Sequence, residues 1–126
     1  MRLSSMAGWL ILLLLAAFVT QAAQAKDEPE ELQSESVKIS EIIEDESAYQ
    51  GKMVVIEGKI ELECGAGCWF VLNDGTGSIY VDILPNNFVI PQESGEDARV
   101  YGEVALKNGE PQIIGKMVKI GGEIYQ

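Results

Sequence analysis

A small all-β domain, built as a five-stranded barrel behind one short helix, is the fold that this sequence predicts. Three observations support it. From Lys52 onward, apolar residues recur at every second position, which is the spacing of half-buried strands. Turn sequences rich in Gly, Asn, Asp and Pro divide this alternation into five short segments. A long first strand, a three-strand meander and a separate final hairpin are typical of a small closed barrel.

The first 25 residues are predicted to be a secretion signal. Arg2 gives the signal a positively charged N-terminal region, residues 9–19 form its apolar core, and Ala23-Gln24-Ala25 is a small-x-small cleavage motif. An uncleaved membrane tether is the competing interpretation, but a span needs about 20 apolar residues and this core is shorter. We therefore expect cleavage after Ala25, a periplasmic or secreted protein, and no stable membrane insertion.

The mature chain is expected to be strongly acidic. Loss of Arg2 with the signal leaves eight basic and twenty acidic side chains, a net charge of −12. Residues 26–36, KDEPEELQSES, are predicted to be a disordered acidic linker, and residues 37–126 the barrel domain. This charge disfavours nucleic acid without excluding it, and it favours cationic ligands or basic protein partners.

The barrel elements follow one another along the chain. A short helix is expected over residues 37–49, with Ser40 as its N-cap. The first strand then runs from Lys52 to Glu63, and Gly58 within it is expected to mark a bulge or bend. Its predicted inward side chains are those of Val54, Ile56, Ile60 and Leu62.

The second and third strands are predicted to form a hairpin around the turn Asp74-Gly75-Thr76-Gly77. After a connector at residues 85–95, the fourth and fifth strands are expected at residues 97–104 and 111–120. The predicted inward side chains of the second to fourth strands are those of Phe70, Leu72, Ile79, Val81, Ile83, Ala98, Val100 and Val104.

This order of strands fits an OB-fold, a five-stranded Greek-key barrel. The runs GKMVVIEGKIELEC, GCWFVLNDGTGSIYVDI, GEDARVYGEV and PQIIGKMVKI resemble exported bacterial and archaeal OB-fold proteins of uncharacterised function. WFVLNDGTGSIYV is also similar to the second hairpin of tRNA-anticodon-type OB domains. The resemblance covers residues 37–120. It implies the fold and not the ligand, because OB barrels serve many functions.

Cys64 and Cys68 flank a turn of three small residues between the first two strands. In an exported protein this spacing favours a disulfide, which would hold a turn that borders the usual OB ligand face. Free thiols are one alternative. A zinc or copper site, with the two thiolates as half of its ligands, is another. A redox enzyme is disfavoured, because catalytic dithiols are usually C-x-x-C at a helix N-terminus.

The outer face of the second and third strands is the predicted ligand face, where aromatic rings can stack on bases or other flat groups. The competing expectation is that the leading helix or the linker covers these rings. The candidate residues are Trp69, Val71, Tyr80 and Asp82, with Arg99 and Tyr101 as possible neighbours.

No catalytic residue and no cofactor are expected. The sequence has no histidine, which excludes Ser-His-Asp and Cys-His catalysis and His-based zinc or haem sites. The first hypothesis is therefore a non-catalytic extracytoplasmic binding module for a cationic or protein ligand. An oligonucleotide-binding OB protein is the second hypothesis. A thiol or metal-binding protein using Cys64 and Cys68 is the third.

Overall fold

The computed structural model describes residues 28–126. The predicted signal, residues 1–25, and the first two residues of the predicted linker lie outside the described part. Within residues 28–126, no helix combines the length and the apolar character that crossing a membrane requires.

The described chain is mostly β, as predicted, and its helices are short. The helices are α1 (Ile39–Glu44) and α2 (Glu46–Tyr49), and single 3₁₀ turns lie at Glu30–Gln33 and Leu84–Asn86. The strands are β1 (Met53–Glu63), β2 (Trp69–Asn73), β3 (Ser78–Asp82), β4 (Asp97–Lys107), β5 (Glu110–Ile120) and β6 (Glu123–Tyr125).

The strands form one sheet in the order β3-β2-β1-β4-β5-β6. All neighbours in this order are antiparallel, and a short parallel pairing of β3 with β5 closes the first five strands into a barrel. This closed, mixed barrel is consistent with the predicted OB-fold. The sixth strand, which the sequence did not predict, extends the sheet beside the C-terminal half of β5.

The barrel core holds the side chains that the alternation predicted, with one exception on β1. Phe70, Leu72 and Val81 are fully buried, and the predicted inward residues of β4 are at most 3% exposed. Ile39 and Ile42 of α1 add two more fully buried side chains to this core. The leading helix is therefore part of the domain's core.

The exception is Leu62, whose predicted inward orientation is wrong. The register of β1 against β2 shifts between Ile60 and Leu62, so that Glu61 is an extra residue without a partner on β2. Such a bulge reverses the faces that follow it. Leu62 consequently lies opposite Val71 and is 56% exposed.

Gly58 does not carry that bulge, contrary to expectation. It stays in register with Ala98 of β4 and allows the backbone of the β2 end to approach closely. A β-carbon at position 58 would lie 2.7 Å from the carbonyl carbon of Asn73 and 2.9 Å from the α-carbon of Asp74. The glycine is needed for close backbone packing.

Residues 28–36, the described part of the predicted linker, differ from the expected disordered segment because they pack on the barrel. Leu32 is fully buried. Arg99 of β4 donates from Nε to the Leu32 carbonyl at 2.7 Å and from Nη2 to the Ser34 carbonyl. Lys119 pairs with Glu28 at 3.4 Å. One apolar side chain and two basic partners hold this polar segment in place.

The start of α1 also differs from the expectation that Ser40 is the N-cap. Asp74, in the β2–β3 turn, accepts a hydrogen bond on Oδ2 from the Ile39 N–H at 2.8 Å. Its Oδ1 accepts from the Thr76 N–H at 2.8 Å and the Thr76 hydroxyl at 2.6 Å. Burial alone would raise the pKa of Asp74, but the hydrogen bonds, led by that from Ile39, outweigh burial and lower this pKa.

Asp74→Asn should therefore lower the free energy of unfolding by about 1 to 2 kcal/mol at pH 7, because the amide replaces one accepting oxygen. A lowered pKa stabilises the fold above the unfolded value near 3.8, and this contribution disappears as the pH falls through the folded pKa. The stability difference from wild type, measured by urea unfolding, should thus shrink below pH 4. Asp45→Asn, which removes the same charge from an exposed position, is the control. Equal losses in both variants would contradict the capping role.

Gly58→Ala should destabilise the barrel by about 1 to 3 kcal/mol, because the new methyl group meets backbone atoms that cannot move alone. Gly122→Ala is the matched control, since no atom lies within 4 Å of a β-carbon there. The measurement is the midpoint of chemical unfolding for both variants. Coincident midpoints would show that the close approach at Gly58 does not constrain the fold.

Candidate functional site

Four of the predicted ligand-face residues lie together on the outside of the β2–β3 hairpin. On β2, Trp69 and Val71 alternate with buried residues, and on β3 Tyr80 and Asp82 do the same. The pairing places Trp69 opposite Asp82 and Val71 opposite Tyr80. These four side chains are called the β2–β3 face below.

Trp69 and Tyr80 stack diagonally across the hairpin. Their ring centroids are 5.2 Å apart and the rings are inclined by 23°. Tyr80 keeps 37% of its surface exposed, so part of this aromatic pair is open to solvent. Burial, followed by the negative charge of Asp82, raises the pKa of Tyr80. Each ring restricts the rotamers of the other, which gives a preorganised flat surface.

A shallow groove of about 400 Å³ adjoins Tyr80 on its other side. It separates the aromatic pair from the turn between β4 and β5. Its walls are Tyr80, Lys107, Asn108, Glu110, Pro111 and Gln112. The groove carries charges of both signs and borders the β2–β3 face, at the place where OB barrels bind ligands.

Cys64 and Cys68 lie at the opposite border of this face. Their Sγ atoms are 2.7 Å apart, with the Cys68 thiol donating to the Cys64 sulfur. The Cys64 N–H donates to the Trp69 carbonyl at 3.0 Å, and the Ile83 N–H donates to the Cys68 carbonyl at 3.2 Å. Residues 64–68, called the thiol turn below, are therefore fixed to the strands that carry the aromatic pair.

The two thiols differ in acidity. Their mutual hydrogen bond lowers the pKa of Cys64 and raises that of Cys68. Both cysteines are free thiols in the structure, and the predicted disulfide stays a prediction. Within residues 28–126, no group of three or more His, Cys, Asp or Glu side chains could hold a metal ion.

The connector after β3 holds the thiol turn from the outside. The Ile90 N–H donates to the Gly67 carbonyl at 3.1 Å, and the Gln92 side chain donates to the Gly65 carbonyl at 2.7 Å. Gly67 has φ +78°, and a β-carbon there would collide with the Ile90 carbonyl oxygen. Only glycine fits this contact.

Arg99 and Tyr101 are not brought to the β2–β3 face. Both lie on β4, which β1 separates from β2 in the sheet. Arg99 forms an ion pair with Glu57 at 2.7 Å and donates to the backbone of residues 28–36, so its role here is structural. The sequence places these residues on a strand but does not show how far that strand lies from β2.

The leading helix and the linker, which were expected to cover the β2–β3 face, lie elsewhere in the described part of the chain. Residues 30–33 lie against β4. Helix α1 contacts the β2–β3 turn around Gly77, at the end of the hairpin away from Trp69. Among residues 28–126, both candidate covers are thus displaced from the aromatic pair.

Charge distribution is a feature of this region that our sequence prediction missed. Residues 60–98, which include β2, β3 and the loops at both ends of the hairpin, contain seven acidic residues and no Lys or Arg. A count of charge along segments, instead of over the whole chain, would have found it. Leu62, exposed beside Val71, was also missed, because the bulge that turns it outward leaves no clear sequence signal.

Comparison with known proteins supports the fold. No family model matches the chain, and no curated protein matches it. The structure of the hypothetical protein ygiW from E. coli is 19% identical, with a TM-score of 0.50 over 78% of this chain and 99% of ygiW. Asparaginyl-tRNA synthetase from Pyrococcus horikoshii is 17% identical, with a TM-score of 0.56 over 70% of this chain.

The likeness to the synthetase includes only 23% of that enzyme's length. A second structure of it, complexed with asparaginyl-adenylate, gives the same identity and TM-score. At these identities the likeness shows the OB-type barrel alone. The ligand must be argued from this chain's own surface.

In the fully reduced protein, Cys64 should react with iodoacetamide faster than Cys68 at pH 7 to 8. The lowered pKa gives Cys64 a larger thiolate fraction, and the thiolate is the nucleophile. Mass mapping of peptides after brief alkylation measures the ratio. Cys68→Ala should slow the reaction at Cys64, because it removes the hydrogen-bond donor that stabilises the thiolate. Equal rates at both sulfurs would contradict the asymmetry.

Proposed function

We propose that this chain is a non-catalytic binding module that acts outside the cytoplasm and takes a cationic ligand on its β2–β3 face. The observation that carries the proposal is the stacked, partly exposed pair of Trp69 and Tyr80 beside the carboxylate of Asp82. Aromatic faces attract ammonium and guanidinium groups, most strongly Trp, and a carboxylate beside them adds a charge partner.

The charge around this pair supports a cation. Asp82 accepts a hydrogen bond from the Leu84 N–H at 3.2 Å and takes part in none of the three ion pairs between residues 28 and 126. Those ion pairs join β1, β4, β5 and residue Glu28, away from β2 and β3. The hairpin itself contains no basic residue. The net negative charge of the hairpin attracts cationic groups, and Lys107 lies across the groove from Tyr80.

The location and the non-catalytic role rest on the sequence. A signal-like segment with the Ala23-Gln24-Ala25 motif precedes the domain. The chain has no histidine to act as a general base at neutral pH. A preorganised aromatic surface without such a group is suited to binding.

Single-stranded nucleic acid is the second candidate ligand. The Trp69–Tyr80 pair favours it, because bases stack on exposed aromatic rings in sequence-tolerant OB-fold complexes. The phosphates would, however, face a hairpin with acidic and no basic side chains. We therefore rank it below a cationic ligand.

The chain from Lys26 onward contains every described element and only one tryptophan, Trp69, because Trp9 belongs to the predicted signal. An octapeptide of alternating Arg and Ser should change Trp69 fluorescence on binding. The affinity should fall as salt is added. Asp82→Asn should weaken binding about fivefold through loss of the charge partner, and Asp45→Asn, the matched charge control, should leave it unchanged.

Trp69→Ala should abolish detectable binding of the same peptide. Because this variant lacks the fluorophore, its binding is measured by calorimetry. No fluorescence change with the Arg/Ser peptide would refute the proposal, as would equal effects of Asp82→Asn and Asp45→Asn. An oligothymidylate that binds more tightly than the peptide at low salt would favour the second candidate instead.

A further inference from the structure

We infer that the ligand of the β2–β3 face is an extended peptide segment with an apolar side chain between two basic ones, and that Leu62 anchors the apolar side chain. This inference rests on the proposed function for the choice of face. It adds the chemical class of the ligand and a residue that neither strand of the hairpin supplies.

Leu62 extends the β2–β3 face onto a third strand. The pairings place Leu62 opposite Val71 and Val71 opposite Tyr80, so three side chains form one row across β1, β2 and β3. Neighbouring strands lie about 4.8 Å apart, which makes this row about 10 Å long. Trp69 lies two residues from Val71 and stacks on Tyr80, which makes the apolar surface continuous. This surface, Leu62, Val71, Tyr80 and Trp69, is called the apolar row below.

The exposure of Leu62 follows from the local backbone geometry. If Glu61 were paired in a regular strand instead of bulged, the alternation of β1 would turn Leu62 into the core with Ile60. The bulge instead leaves Leu62 56% exposed beside the 37% exposed Tyr80. Single exposed apolar residues are normal, whereas a continuous exposed apolar surface indicates a binding site.

Carboxylates lie on both sides of the apolar row. Glu61 accepts hydrogen bonds from the Ser78 hydroxyl at 2.6 Å and the Asn73 amide at 3.3 Å, which fixes its carboxylate beside Asn73, two positions after Val71 on β2. Asp82 lies opposite Trp69, two positions before Val71. The order along β2 is therefore carboxylate, apolar surface, carboxylate.

This order defines the ligand by charge and spacing. Alternate residues of a strand are about 6.8 Å apart, so the two carboxylates flank Val71 at the spacing of residues i, i+2 and i+4 in an extended chain. A side chain above Val71 lies between Leu62 and Tyr80, about one strand spacing from each. An extended peptide places its own side chains i, i+2 and i+4 on one face at the same spacing. A basic, an apolar and a basic side chain in these positions match Asp82, the apolar row and Glu61.

The test measures, by Trp69 fluorescence, how tightly each of three nonapeptides binds to the protein that begins at Lys26. The first is Arg-Ser-Leu-Ser-Arg-Ser-Leu-Ser-Arg, the second has Ser in place of both Leu residues, and the third has Glu in place of the Arg residues. The first should bind about tenfold more tightly than the second, because a leucine side chain leaves water. The third should not bind.

Leu62→Ser should remove this tenfold preference and leave the affinity for the Ser-containing peptide unchanged. Met53→Ser, at the other end of β1 and also exposed, should change neither affinity. Leu62 is outside the core, so the variant should unfold at the temperature of the wild type. A lower unfolding temperature would call for Leu62→Gln, which keeps more of the side chain's volume, and the same loss of preference is expected from it.

The remaining outcomes distinguish the two proposals. If the Ser-containing peptide binds through Asp82 but Leu62→Ser leaves the preference intact, the inference is wrong and the proposed function stands. If no Arg peptide binds, both are wrong. Equal binding of the Glu peptide would show an apolar surface without charge selection and overturn the inference. A dimer in sedimentation that Leu62→Ser dissociates would assign the apolar row to a second copy of the chain and overturn it too.

Discussion

The parallel pairing of β3 with β5 is the constraint on which the rest of this structure depends. Only three residue pairs make it, from Tyr80 with Gln112 to Asp82 with Ile114, yet it converts an open sheet into a barrel. Closure buries one face of the β2–β3 hairpin completely and leaves its other face in water. It also brings the β4–β5 turn beside Tyr80, which forms the groove there. The site is thus a consequence of closure together with the alternation of the strands.

The candidate site is rigid because its borders share hydrogen bonds with the strands. The thiol turn binds Trp69 through the Cys64 N–H and receives a hydrogen bond from Ile83, while Ile90 and Gln92 hold it from outside. At the other end of the hairpin, Asp74 joins the turn to α1. An aromatic pair held at both ends loses little conformational entropy when a ligand binds, which favours affinity without a large contact area.

The sequence predicted what depends on local alternation, and it missed what depends on register and distance. Phe70 and Val81 were placed correctly inside because period-two burial is a property of a few neighbouring residues. Leu62 was placed wrongly because one extra residue, Glu61, reverses the face, and a bulge has no composition signal of its own. Arg99 was grouped with the ligand face because the distance between β4 and β2 follows from barrel order. Residues 28–36 were expected to be disordered from their composition, although one leucine and the donors of Arg99 order them.

The arrangement of acidic and apolar groups also bears on why an exposed leucine is tolerated. An open apolar row on a β-barrel invites pairing with a second copy, which edge and face charges normally prevent. Here two copies meeting through the apolar row would bring Glu61 and Asp82 of one near the carboxylates of the other, and the hairpin offers no basic residue to compensate them. Like-charge repulsion therefore opposes self-association, while the same carboxylates would attract the basic peptide that we propose as ligand. A single charge pattern disfavours the wrong partner and selects the proposed one, so the exposure of Leu62 and the acidity of residues 60–98 have one common explanation.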